Sequence, residues 1–307
     1  MLIILRTLCA ALGAVVIAGA AGLSDAAEYP NRDIRMIVPF GPGGNTDIMA
    51  RIVSERLGKK LGVTVIVDNR GGAGGSKGTF VASKAKADGY TLLVVSGSHV
   101  INPSVRKLPY DTVKAFTGIS LIAKMSNVLV AHPSIPVNSA KELIAYAKAN
   151  PGKLNYGSAG TGTSSNLAME LFKLRAGIDI VHIPYKGNKR ATADLLAGHV
   201  QLMMGAQPSA MPLIAAKKLK GLAVTSLVPS PVLPRVPSLN ECCVPGYTII
   251  QGFGVLTMVG VAKDRVNKLN EALVAVLKDP VVVEKLTSRG ATPSPMTPDE
   301  YNKYINI

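Results

Sequence analysis

Three stretches of Gly, Ser and Thr punctuate this chain, each between an apolar run and an amphipathic pattern. They are "FGPGGNTD" (Phe40–Asp47), "NRGGAGGSKGT" (Asn69–Thr79) and "GSAGTGTSSN" (Gly157–Asn166). Short runs that suit strands precede them: Ile34–Pro39, Val63–Val67 and a stretch around Leu154–Tyr156. After them the period changes. Met49, Ile52, Val53, Leu57 and Leu61 fall on one helical face, and Leu167, Leu171 and Leu174 on another. A further strand pattern, Tyr90–Ser96, follows the second loop. Strand, loop, helix and strand in succession call for right-handed crossovers, so an α/β fold with a mainly parallel sheet is expected.

The pattern restarts near Asn127–Ala131. Ser139 and Glu142 form a capping box for a helix through Ala147. Strands are expected at Ile180–Ile183, Val200–Met204 and Leu222–Thr225, with helices near Ala191 and Ala210. Four prolines between Pro229 and Pro237 make that stretch a loop, and Ile249–Leu256 returns to strand. Val266, Leu269, Leu273, Val276 and Leu277 mark a helix that Pro280 ends. Thr297, Pro298 and Glu300 supply a cap, a first-turn proline and a capping-box acid. Ile307 follows soon after, so the last helix reads as cut short.

Residues 1–26 stand apart from this fold. Arg6 gives a basic start, Leu8–Leu23 is apolar, and Ser24-Asp25-Ala26 places small residues around a cleavage point after Ala26. An apolar run of 16 residues falls short of the ~20 that a spanning helix needs. A cleaved signal peptide is therefore expected. The rest keeps a net charge of +15. Its Lys and Arg are scattered, without the clusters and interleaved aromatics of a nucleic-acid surface, so the charge favours small anions instead. Cys242 and Cys243 are the cysteines left after cleavage, and neighbouring thiols close only a strained ring. Free thiols are expected, and no disulfide framework.

The loops invite a nucleotide reading, which spacing rejects. A phosphate loop needs its lysine directly after the last glycine, but Ser76 separates Gly75 from Lys77. A dinucleotide fingerprint starting at Gly72 would need a glycine where Lys77 stands. No G-x-S-x-G elbow occurs, and Ser164 and Ser165 suit a helix start better than a nucleophile. His99, His132, His182 and His199 have no metal-ligand spacing, and no acidic cluster has that of a calcium loop. No catalytic residue, metal or cofactor is expected. What remains is three glycine-rich helix starts, whose backbone N–H groups and dipoles suit an anion gripped at both ends. Asp47 has two readings in that setting: a stabiliser of its own helix, or an acceptor for an ammonium, a protonated group or a water.

Six motifs in order carry a resemblance: "VPFGPGGNTDIMAR", "VDNRGGAGGSKGT", "LPYDTVKAF", "NPGKLNYGSAGTGTSSNLAMELFK", "HIPYKG" and "DLLAGHVQLMM". From about Tyr29 onward the chain resembles the periplasmic substrate-binding proteins of the tripartite tricarboxylate transporter system, the Bug family. The resemblance implies a two-lobed, Venus-flytrap α/β fold. Each lobe is a mainly parallel sheet flanked by helices, and two strands cross between them near Asn127–Ala131 and Ile249–Gly254. Lobe 1 would comprise residues 27–128 and 249–307, and lobe 2 residues 129–248. One ligand carboxylate would sit on Phe40, Gly41, Gly43, Gly44 and Asp47 together with Ala73, Gly74 and Gly75. Ser158, Gly160, Thr161, Gly162, Thr163 and Asn166 would hold the distal part, with Tyr185 and Lys186 nearby.

The chain departs from the family pattern at several places. Gly71 replaces a proline, Lys77 an aliphatic residue and Asn166 a frequent histidine. Asn188-Lys189-Arg190 is more basic than the usual Gly-rich continuation, and "LTMVGVAKD" lacks a customary turn. Lys77 is expected to point to solvent. The implied role is a periplasmic, monomeric and non-catalytic receptor. It would take a small organic carboxylate to a two-subunit membrane permease. An exported enzyme on the same scaffold, or a sensor subunit for a membrane kinase, stays open at this point.

Overall fold

The computed structural model describes residues 28–305, so the expected signal peptide lies outside the described residues. The first strands are β1 (Ile34–Val38), β2 (Val65–Asn69) and β3 (Thr91–Ser96), with β1 paired in parallel to both others. Helix α1 (Asn45–Leu61) connects β1 to β2 and buries Met49, Val53 and Leu57. It ends on Gly62 at φ 73°, the left-handed geometry that closes a helix. After β2, the 3-10 turn Ala73–Gly75 leads into α2 (Ser76–Ser83), and α3 (Ser98–Val105) follows β3.

The centre of the sheet is β4 (Phe116–Ala131), 16 residues long. Its residues 116–126 pair antiparallel with β9 (Ile250–Met258), and Asn127–Ala131 pair antiparallel with β7 (Leu202–Ala206). β8 (Lys220–Val224) and β10 (Ala291–Pro293) also run antiparallel to β4. β5 (Asn155–Ser158) joins β7 and β6 (Val181–Pro184) in parallel. The strand order is β2-β1-β3-β9-β4-β7-β5-β6. The outer strands are thus parallel, while every pairing of β4, β9 and β10 is antiparallel.

Periodicity predicts only the last five residues of β4. The strand is buried along almost its whole length, so Phe116–Ser126 lacks the polar alternation that marks a half-exposed strand. Helices α4 (Ala140–Ala149), α5 (Ser164–Ala176), α6 (Asn188–Leu196), α7 (Gln207–Ala215) and α8 (Leu239–Cys242) flank the second part of the sheet. α9 (Lys263–Leu277), α10 (Pro280–Thr287) and α11 (Pro298–Ile305) return to the first. Both faces are covered. Met36 and Leu92 pack in one core and Ile37 and Leu93 in another, as the alternation of strand side chains requires. In the second part Leu129 and Tyr156 share a core with Phe172, while Val128 and Met203 lie on the opposite face.

Two expectations need correction. The buried stripe of α5 is Ala168, Met169 and Phe172, whereas Leu174 is 79% exposed. Apolar residues form two overlapping stripes on this helix, and periodicity alone does not choose between them. Pro280 does not merely end α9; it opens α10 behind the Asp279 cap, whose carboxylate accepts the Val281 N–H. The five apolar positions expected in α9 are all buried.

Candidate ligand site

A helix start leaves its first N–H groups without intrahelical acceptors. Several helices here begin without a side-chain cap, among them α1 after Gly44, α5 after Thr163 and α6 after Gly187. The Thr163 hydroxyl is turned back to donate to the Gly160 carbonyl at 2.7 Å. All three starts open on one cavity of about 410 Å³, within the usual range for small-molecule sites. Phe40, Gly41, Gly44, Asn45 and Thr46 form one wall, and Thr163, Ser164 and Ser165 another. Lys186, Gly187, Asn188, Lys189 and Arg190 supply a third. Ser96 and Ser98 reach it from the end of β3, and Asn127 and Gln251 from the crossing strands β4 and β9.

Its chemistry suits an anion. The charged side chains that line it are Lys186, Lys189 and Arg190, with no carboxylate among the lining residues. Asn45 Oδ1, Asn127 Nδ2, Ser164 Oγ and Asn188 Oδ1 are buried atoms of the lining that no protein group satisfies. An unsatisfied buried polar atom costs about 1–3 kcal/mol; of these four, Asn127 Nδ2 and Ser164 Oγ can donate to an anion, whereas Asn45 Oδ1 and Asn188 Oδ1 accept and suit a water or a ligand hydroxyl.

A second cavity of about 280 Å³ adjoins the first and shares Phe40, Gly72, Ala159 and Lys186 with it. Ala73, Gly74, Gly75, Gly160, Thr161 and Tyr185 line this one. Arg106 joins the two loops, its Nη1 donating to the Ala73 carbonyl at 2.8 Å and its Nη2 to the Thr161 carbonyl. Asn102 donates to the Gly74 carbonyl at 3.1 Å. Gly74 has φ 63°, and a Cβ there would stand 3.1 Å from the Thr161 carbonyl oxygen. The two parts of the protein therefore meet backbone to backbone at this loop.

The remaining candidates from the sequence line neither cavity. Asp47 is buried and spends its carboxylate on the Gly43 amide at 2.8 Å, Asn69 Nδ2 at 2.9 Å and Arg51 Nε at 3.0 Å. Burial pushes its carboxyl up, but the bonds from Arg51, Gly43 and Asn69 outweigh this and hold it below its ordinary value. Asp47 is thus an anionic tie for the first loop, which favours the stabilising reading. Asn69 also donates to the Phe40 carbonyl, so the strand end and the loop are fixed together. Gly43 contributes its amide to Asp47 rather than to the cavity.

Ser158 is fully buried, and its hydroxyl shares a 2.6 Å bond with His182 Nε2 and accepts from the Gly160 amide. Burial lowers the pKa of His182, which stacks on Tyr156. Asn166 accepts from the Gly162 amide at 2.9 Å and donates to the Tyr156 hydroxyl at 2.7 Å. These residues shape the second loop from behind. Gly162 sits where a Cβ would come 2.5 Å from Val105. Lys77 is exposed, with its aliphatic stem over Gly72. Cys242 and Cys243 are free thiols. Among the described residues, no cluster of His, Cys, Asp and Glu could hold a metal.

Several lining residues are not among the sequence candidates: Asn45, Thr46, Ser96, Ser98, Asn127, Ser164, Ser165, Asn188–Arg190 and Gln251. Some carried a signal. Asn127 and Gln251 are polar residues inside apolar strands, a pattern that marks a buried polar task. Asn188–Arg190 stood out as unusually basic.

A model of the tripartite tricarboxylate transporter family receptor matches residues 49–306. Protein BugT of Bordetella pertussis is 37% identical over 294 residues, covering 95% of this chain and 90% of its own. A structure from R. palustris with adipate aligns at TM-score 0.88 and 34% identity, covering 91% of this chain and 94% of that one. MatC from Rhodopseudomonas palustris with bound malate aligns at TM-score 0.86 and 29% identity, covering 91% and 96%. Other neighbours described as periplasmic share the same two-lobed α/β architecture. A whole-chain match in sequence and in fold leads to one assignment: the chain belongs to the tripartite tricarboxylate transporter receptors, the Bug family.

Proposed function

We propose that this protein is an exported, non-catalytic receptor. It captures a small organic carboxylate between two lobes and delivers it to a two-subunit membrane permease of the tripartite tricarboxylate type. The carrying observation is the convergence of three uncapped helix starts on one cavity lined by cations and by no carboxylate. Lobe 1 corresponds to residues 27–128 and 249–307 and lobe 2 to 129–248. In this reading one carboxylate lies against Phe40–Asn45, where backbone N–H groups donate and Asp47 keeps the loop in shape. The second lobe closes over the ligand through Thr163–Ser165 and Lys186–Arg190. The leader reading of residues 1–26 supports a periplasmic location, and the protein acts there as a monomer.

The related structures with adipate and malate make dicarboxylates the first ligands to try. A thermal-shift screen of these acids, amino acids, sugars and nucleotides tests the proposal. A ligand at 100 times its Kd stabilises the bound form by about 2.7 kcal/mol, so an acid that binds raises the Tm measurably. A screen in which only a non-anion shifts melting would overturn the reading.

A further inference from the structure

A cavity of about 350 Å³ shares Ser96, Ser164 and Gln251 with the ligand cavity but has the opposite chemistry. No Asp, Glu, Lys or Arg is among the described residues that line it. Its walls continue one apolar core, to which Val95, Leu121 and Tyr301 belong and against which Tyr304 and Ile305 pack. Tyr301 and Tyr304 are stacked, with ring centroids 6.3 Å apart. Leu167 of α5 and the residues Ile249, Ile250 and Gly252 at the crossing strand β9 add further wall. Val100 and Ile250 are 42% and 45% exposed, so the space reaches solvent and a molecule can enter it.

His99 interrupts this apolar lining. It is 5% exposed, and its Nε2 lies 2.8 Å from the Thr112 carbonyl, which can only accept, so the proton sits on Nε2. Burial lowers its pKa to about 4, which keeps the ring neutral near pH 7. Nδ1 is then a bare acceptor, and no protein group satisfies it. Ser164 Oγ, on a side chain that is 6% exposed, is a second unpartnered polar atom of the lining. A carboxylate here would meet a lone pair and no cation, and a pure hydrocarbon would leave Nδ1 unpaired. A neutral aromatic ring with one O–H donor answers both conditions and can lie against the two tyrosines. We propose that this cavity is a second binding site, separate from the carboxylate site, for a small uncharged phenol whose hydroxyl donates to His99 Nδ1. The assignment does not depend on the receptor reading above.

Fluorine NMR titration with 4-fluorophenol and 4-fluorotoluene tests this, since the two rings are close in size and differ in the donor. Both should bind the wild-type protein with Kd of about 1 mM or tighter, as ligands of about eight heavy atoms can. Leu167→Trp on α5 and Ile101→Phe on α3 each add bulk to this cavity, at half-buried positions that do not line the ligand cavity. Each should fold, as its melting temperature will show, and should weaken both probes about tenfold or more. His99→Gln removes the Nδ1 acceptor, while its amide can keep the bond to Thr112. That variant should weaken 4-fluorophenol about tenfold relative to 4-fluorotoluene. Failure of 4-fluorophenol to bind the wild type overturns the site, and so does binding that survives at full strength in a folded plugged variant. A probe ratio unchanged in His99→Gln overturns the assignment to a phenol.

Discussion

Helices α1, α5 and α6 begin at Gly44, Thr163 and Gly187 without a side-chain cap, whereas α4, α8 and α10 begin at Ser139, Ser238 and Asp279. In the second group the cap oxygen accepts the amide of Glu142, Glu241 or Val281. The first three meet at the cavity, and the capped starts line none of it. A cap is worth about 1 kcal/mol against alanine but only about a few tenths against glycine, so these starts, two of them at glycine, leave their donors free at small cost. The contrast does not extend to every helix. α2, α3, α7 and α9 also begin uncapped, at Gly75, Gly97, Ala206 and Ala262, and of these only Ala262 is exposed, where solvent satisfies the amides.

The most severe way to break this contrast is to give a cavity helix the cap it lacks. Gly44→Asp suits the backbone angles there, φ −79° and ψ 167°, although its Cβ would stand 3.3 Å from the Gly41 carbonyl oxygen, and the ligand-free protein should still fold with a melting temperature close to wild type. Its carboxylate would occupy the α1 donors and repel an anion. Like-charge juxtaposition costs several kcal/mol, so carboxylate affinity should fall about a thousandfold by calorimetry. Affinity within about tenfold of wild type would mean that the uncapped start does not hold the ligand.

A second test asks whether an unspent buried polar atom marks ligand binding wherever it occurs. His99 also has an unpartnered nitrogen, Nδ1, but it lies outside the ligand cavity, and its Nε2 bonds the Thr112 carbonyl at 2.8 Å. Burial lowers its pKa to about 4, despite the opposing effect of that bond. The folded state therefore resists a proton that the unfolded chain accepts below about pH 6.5. Stability from this residue is complete above about pH 6.5 and is lost as the pH falls towards 4, by about 3 kcal/mol in all. Urea melts across that range should show a shallower slope in His99→Gln, whose amide can keep the bond to Thr112. Carboxylate affinity at pH 7.5 should not change. A loss of binding there would extend the site beyond the cavity.

Smaller effects sharpen the other side of the comparison. Ser139→Ala removes the cap of α4 and should lower stability by about 1 kcal/mol with no change in Kd. Lys77→Ala should be quieter still, within about 0.5 kcal/mol and about twofold in affinity, because the side chain is exposed. A larger affinity loss would place its charge at the ligand.

Which parts of this were legible in the sequence follows from the same physics. Glycine-rich helix starts declare themselves, because few other residues accept their backbone angles or close approaches; Gly74 and Gly162 show this. Side-chain direction at those starts is less visible. Ser158 and Asn166 flank the loop that faces the cavity, yet they turn inward to His182 and Tyr156, and only the packed structure reveals it. Asn127 and Gln251 come together through pairing across the whole chain, which no local pattern encodes. The first half of β4 was invisible for the opposite reason, since a strand buried on both faces loses its alternation.

β9 lies between β3 and β4, although some 150 residues of chain separate it from β3. The first part of the sheet is therefore an incomplete product until the chain beyond Gly254 arrives. The strands β4 to β8 need nothing from that late segment to pair with one another. Closing so long a connection is entropically slow, and slow closure leaves apolar strand edges uncovered meanwhile. For the exported chain proposed above, the position of one strand thus sets an order of assembly. The half that begins first must finish last.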